Sequence, residues 1–166
     1  MQIIYIISVV IHIMAAVSWI GGALFLAFII FPSMRSPELK VQRGQIVRLI
    51  GKRLRVSGWI AFALLSITGC FNIVFRFGTE AIMMKSFWIQ GAGLMLALKL
   101  ILFSFIIAIS LYHDFVVGPK STAASKENPG SPKAIALRKQ AAFHGRINIL
   151  LGIIVLILAV IIVRGI

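Results

Sequence analysis

The chain has 166 residues, 60% of them hydrophobic, and a formal net charge of +13 at pH 7, with a mean hydropathy of +1.05. Apolar runs of about twenty residues or more match the length a helix needs to cross roughly 30 Å of hydrocarbon, which excludes a soluble enzyme and predicts an all-α, polytopic membrane protein. The basic excess does not indicate a nucleic-acid partner, because it is sorted by loop in the way membrane topology sorts it.

Four spans, 3–32, 56–76, 88–112 and 147–163, predict a four-transmembrane-helix bundle forming a single membrane domain over 1–166 in a lipid bilayer. The first is too long for a simple crossing, so it is expected to tilt or to project beyond the bilayer. It lacks the basic n-region of a signal peptide and is kept as a span. Within its "SVVIHIMAAVSWIGG", Ser8, His12, Ala15, Trp19 and Gly22 fall on one helical stripe, which is expected to face neighbouring helices rather than lipid. The loop that follows holds Arg35, Lys40, Arg43, Arg48, Lys52, Arg53 and Arg55. In "VQRGQIVRLIGKRLRV" Ile46, Leu49, Ile50 and Leu54 recur at helical spacing among the arginines, predicting a short interfacial helix on anionic headgroups.

Span two brings Ser66, Thr68, Cys70 and Asn72, and the loop beyond it carries only Arg76 and Lys85 with the pair Met83-Met84, two thioethers that could serve as an entry point for a soft metal ion. Span three places Met95, Lys99, Ser110 and His113 close to one stripe. It ends in "LYHDFVVGP", where His113 and Asp114 read as an interfacial hydrogen-bonded cap. "KSTAASKENPGSPK" is predicted to be a flexible linker with no fold of its own. His144 and Arg146 open span four, with His144 able to meet His113 across the bundle. Lys120, Lys126, Lys133, Arg138, Lys139 and Arg146 make this second loop basic. The positive-inside rule then puts both basic loops in the cytoplasm and both termini outside, as expected for a multi-pass membrane protein.

His12 and Lys99 are the ionisable residues inside spans. Counted inward at the helical rise, His12 lies roughly 14 Å and Lys99 roughly 16 Å below the outer surface, so the two share a level. The four acidic residues, Glu38, Glu80, Asp114 and Glu127, all lie outside the spans and leave Lys99 without a carboxylate. A neutral imidazole, a neutral amine, the Met95 thioether and the Cys70 thiol together suit a soft or borderline metal, which is copper or a haem iron held axially. The bland alternative has Lys99 bonded to backbone carbonyls or water while His12 fixes helix packing. The single cysteine rules out an intrachain disulfide. No phosphate-binding glycine loop, carboxylate pair or nucleophile elbow supports a hydrolase or kinase, and whether the chain is an enzyme is left open, with the balance against it.

"HIMAAVSWIGGALFLAFIIFP", "LKLILFSFIIAISLYHDFVVGPK" and "RINILLGIIVLILAVIIVRG" together resemble the integral-membrane copper-resistance protein D (CopD) family. The distinctive positions are His12, Trp19, Gly21, Gly22, Pro32, Lys99, His113-Asp114 and Gly118-Pro119. The resemblance implies a four-helix module for copper uptake across the bacterial inner (cytoplasmic) membrane, with a periplasmic copper chaperone as partner. His12, Trp19 and Lys99 also resemble the membrane-bound, haem-containing protoporphyrinogen oxidase of bacteria, which implies a b-type haem (haem b) tied to the histidine and lysine positions. The chain departs from that second family at Phe31-Pro32 and in the "ILLG" after Asn148. A third reading, from the remaining class, is a non-catalytic subunit of a membrane complex or a homo-oligomer.

Overall fold

The computed structural model describes residues 1–34, 36–39 and 43–165. Arg35 and Lys40 of the first basic loop, and Val41 and Gln42 at the head of the expected interfacial helix, lie outside the described residues. α1 (Gln2–Phe25) runs through a π turn, Leu26–Ile30, into the short α2 (Phe31–Ser33). α3 (Arg43–Met83) is kinked at Gly78, whose φ of 76° and ψ of 155° are not helical. A 3-10 turn, Lys85–Ile89, leads to α4 (Gly91–Tyr112). A second π turn, His113–Val117, joins it to α5 (Gly118–Glu127), and α6 (Pro132–Arg164) follows. Four helical stretches, Gln2–Ser33, Gly44–Met83, Gly91–Glu127 and Pro132–Arg164, are long and apolar enough to cross a membrane. The protein is therefore of the all-α, four-span membrane class that composition predicts.

The chain divides into two units, Met1–Met83 and Met84–Ile166, each built on an antiparallel helix pair, α1 with α3 and α4 with α6. In the first unit Tyr5 stacks on Phe75 with ring centroids 4.3 Å apart. Further along, Trp19 meets Phe62 at 5.2 Å, and Gly22 lies under the Leu54 side chain. These pairs run in opposite directions along the two helices, and small residues at the contact let the backbones approach, as in other membrane helix pairs. In the second unit Ile106 and Val117 are the largest of the fully buried side chains. Ser121, Ala124 and Ala134 are buried where α5 lies along α6.

Both π turns end just ahead of a proline. The Phe31 N–H reaches back to the Leu26 carbonyl and the Gly118 N–H to the His113 carbonyl, five residues in each case. Pro32 and Pro119 have no N–H to continue the α-helical ladder and their rings crowd the preceding turn, so a widened turn there relieves the conflict. The two units thus share a plan of span, π turn, proline and return helix, although no internal repeat is legible in the sequence.

Two expectations are corrected. The arginine-rich stretch expected as a separate interfacial helix belongs to α3, which continues from Arg43 through span two. "KSTAASKENPGSPK" is also mostly helical, with only residues 128–131 outside α5 and α6. Its proline and glycine fall in that short turn. The Asn128 side chain accepts from the Gly130 N–H (3.1 Å), Ser131 accepts from the Ala134 N–H (3.2 Å) as the N-cap of α6, and Arg138 donates to the Pro129 carbonyl (2.6 Å).

The turn at the start of α4 makes one glycine indispensable. A Cβ at Gly93 would fall 1.8 Å from the Phe87 carbonyl oxygen, a backbone atom that can yield only by moving the 3-10 turn. Gly93→Ala is expected to cost about 2 kcal/mol or more, read as earlier thermal unfolding of the detergent-purified protein. Gly21→Ala, whose Cβ meets nothing within 4 Å, should leave that transition in place or raise it.

Candidate functional site

The stripe of α1 faces α3 as the helical period predicts. Ser8 and Ala15 are buried, and His12 Nδ1 lies 2.8 Å from Thr68 Oγ1. The Thr68 hydroxyl donates its own proton to the Leu64 carbonyl one turn back, so toward His12 it can only accept. His12 therefore donates from Nδ1, and in the neutral ring the lone pair lies on Nε2. Gly69 makes room for this imidazole, because a Cβ there would stand 3.3 Å from His12 Cε1. One turn further along the antiparallel pair, Ser8 and Asn72 come to the same level. Ser8 Oγ and Asn72 Oδ1 are both buried with no hydrogen-bond partner among the described residues. A polar layer of Ser8, His12, Thr68 and Asn72 thus crosses the α1–α3 contact.

The other candidates of this unit stand differently. Trp19 packs its ring against Phe62 and over Gly58, which makes it a packing residue of the α1–α3 contact. Cys70 is exposed. It follows Thr68 by two residues, about 200° around the helix, and so leaves α3 away from the His12 face.

In the second unit Lys99 is half-buried and shares a stripe of α4 with the buried Ile106 and Ser110, with Met95 one turn before it. Ser110 Oγ accepts from Asn148 Nδ2 (2.8 Å), which fixes the register of α4 against α6. Counting from Asn148 as many residues as separate Ser110 from Lys99 reaches Ala159, between the buried Leu158 and Ile162. Lys99 therefore lies level with a stretch of α6 that offers it no polar side chain.

At the far end of α4 the expected meeting of His113 and His144 is present, with ring centroids 6.4 Å apart. His113 Nδ1 is bonded to Asp114 Oδ1 (2.9 Å), and Arg146 is exposed. Among the described residues no group of three or more His, Cys, Asp and Glu side chains converges on a metal position.

The family model for copper resistance protein D matches residues 48–162. The chain belongs to the copper resistance protein D family. The match takes in Thr68, Cys70, Met95, Lys99, His113, Asp114, His144 and Arg146, and begins after His12 and Trp19. The chain is also similar to an uncharacterized protein of Aquifex aeolicus (strain VF5), 27% identical over 152 residues that cover 90% of this chain and 88% of that protein. No solved structure matches. The family and the four apolar helices make this a membrane protein related to copper resistance. Sequence reasoning on this CopD-family chain named Thr68 only as a polar residue of span two. Its partnership with His12 depends on the α1–α3 register, which a count outward from the shared loop, had its length been known, would have indicated.

Proposed function

We propose that this protein handles copper in the bacterial inner membrane, in uptake or transfer, through intramembrane donors of the outer half, His12 in the first unit and Lys99 in the second, each in its own right. The observation that carries the reading is the His12–Thr68 hydrogen bond (2.8 Å) within a chain of the copper resistance protein D family. Commitment of Nδ1 to a hydroxyl fixes the tautomer with the lone pair on Nε2, which is how neighbours orient metal-binding imidazoles. Met95 is a soft donor one turn from Lys99. Copper is cargo in this reading, passed on by donors that bind weakly enough to release it. A periplasmic copper chaperone fits as its source.

A histidine oriented in this way also suits an axial ligand of haem b, and the deciding measurement is the spectrum and metal content of the purified protein. Copper without a Soret band supports the copper reading, and a stoichiometric Soret band replaces it with haem. Neither copper nor haem leaves the non-catalytic subunit. The proposed orientation has a separate test. An even number of crossings puts both termini on one side, and the basic loops assign that side to the periplasm. A reporter fused after the last residue is expected to be active only when it requires the periplasm, and cytoplasmic activity would reverse the assignment of inner and outer halves.

A further inference from the structure

The polar groups at the end of α4 are not used by the site proposed above. His113 opens the π turn, a widened helical geometry that recurs at functional positions. Its Nδ1 is taken by Asp114 Oδ1 at 2.9 Å, while the side chain keeps 34% of its surface exposed. A carboxylate on Nδ1 fixes the tautomer and leaves the lone pair on Nε2. Across the contact, His144 is held between the rings of Tyr112 (5.5 Å) and Phe143 (6.1 Å). Its Nδ1 is buried with no hydrogen-bond partner among the described residues, and the same is true of Asn148 Oδ1 one turn further along α6.

The two imidazoles are in edge-to-face contact at a spacing wider than a direct hydrogen bond and wide enough for one ion. A direct hydrogen bond, with an N···N distance of about 2.9 Å and a ring radius of about 1.1 Å at each end, brings the centroids to about 5 Å. One ion between them, with metal–nitrogen bonds of about 2.0 Å, sets the centroids about 6.2 Å apart. The observed separation is 6.4 Å, with the rings inclined at 65°, and linear two-coordination imposes no angle between ring planes.

We propose that His113 and His144 form a two-imidazole site for copper(I) at the junction of α4 with its π turn, with Asp114 as a positioning residue on His113. Imidazole suits copper, and two nitrogen donors satisfy the monovalent ion, whereas zinc would lack two of its ligands. The choice of copper rests on the functional reading above. The pairing of the two histidines does not.

The test is titration of the full-length detergent-purified protein with copper(I) against a chromophoric copper(I) chelator, free of oxygen. His113→Gln and His144→Gln keep a polar side chain of similar reach, and thermal unfolding checks that each variant is folded. Each is expected to weaken one copper equivalent at least tenfold, the double variant to remove it, and Asp114→Asn to weaken it by about tenfold. His12→Ala should keep that equivalent, and X-ray absorption of copper in His12→Ala should read two nitrogen donors and no sulfur. The proposal is overturned if the wild type binds no copper(I), if the double variant keeps every equivalent, or if the equivalent disappears with His12. Failure of the outer-half reading looks different: His12→Ala leaves copper accumulation in cells unchanged while the His113/His144 equivalent persists.

Discussion

Cells whose only copy carries His12→Ala are expected to accumulate copper on the order of a hundredfold less efficiently, or at the level of cells lacking the gene, with the protein still folded and in the membrane. The expectation rests on the direction of a single hydrogen bond. Thr68 gives its proton to the Leu64 carbonyl, so His12 must donate to it and present Nε2 as the donor atom. Thr68→Val removes the acceptor while preserving shape, and should weaken copper binding by about tenfold while leaving the imidazole in place. Cys70→Ser serves as the control, since Cys70 is exposed and leaves α3 away from His12, and it should be close to silent. Met95→Leu is expected to lower uptake moderately, because conduction through successive weak sites suffers from the loss of any one. Wild-type copper accumulation in His12→Ala would remove the histidine from the site. A Soret band lost on the same substitution would assign it to haem iron instead.

The features that were legible in the sequence are those set by helical period and by length. The stripe from Ser8 to Gly22 faces α3 because residues three and four apart share a helix face in any surroundings. What was not legible depends on register or on averaging. Thr68 is one of several polar residues in span two, and only the antiparallel register selects it as the partner of His12. The stretch from Lys120 to Lys133 has a linker's composition when averaged, yet its helix breakers are concentrated between Asn128 and Pro132, where Ser131 and Pro132 are themselves a helix-start signal. The continuity of α3 through its arginines is hidden in the sequence for a related reason, since a drop in hydropathy marks the edge of the hydrocarbon and not the end of a helix. Pro32 and Pro119 were visible, but a π turn is one of several ways to accommodate a proline, and composition does not choose among them.

Lys99→Arg is expected to lower copper binding and uptake at least tenfold, whereas Lys99→Met should retain a substantial part of both. Lys99 is half-buried on the α4 stripe that also carries Ile106 and Ser110, and the register set by Ser110 and Asn148 brings it level with the apolar Leu158–Ile162 stretch of α6. The four acidic residues of the chain lie outside the predicted spans, with Asp114 bonded to His113. An ammonium at this depth without a carboxylate is costly, and an uncharged amine is a nitrogen donor of the kind copper accepts. Arginine keeps the positive charge and cannot ligate, while methionine ligates soft ions and carries no charge, so the two substitutions separate the roles that a single alanine variant would merge. If Lys99 acts as a structural cation, hydrogen-bonded to backbone carbonyls or water, the order inverts and arginine is the tolerated residue. A Lys99→Arg protein with unchanged copper content and uptake, beside an inactive Lys99→Met, would remove Lys99 from the proposed copper donors and leave the reading to His12.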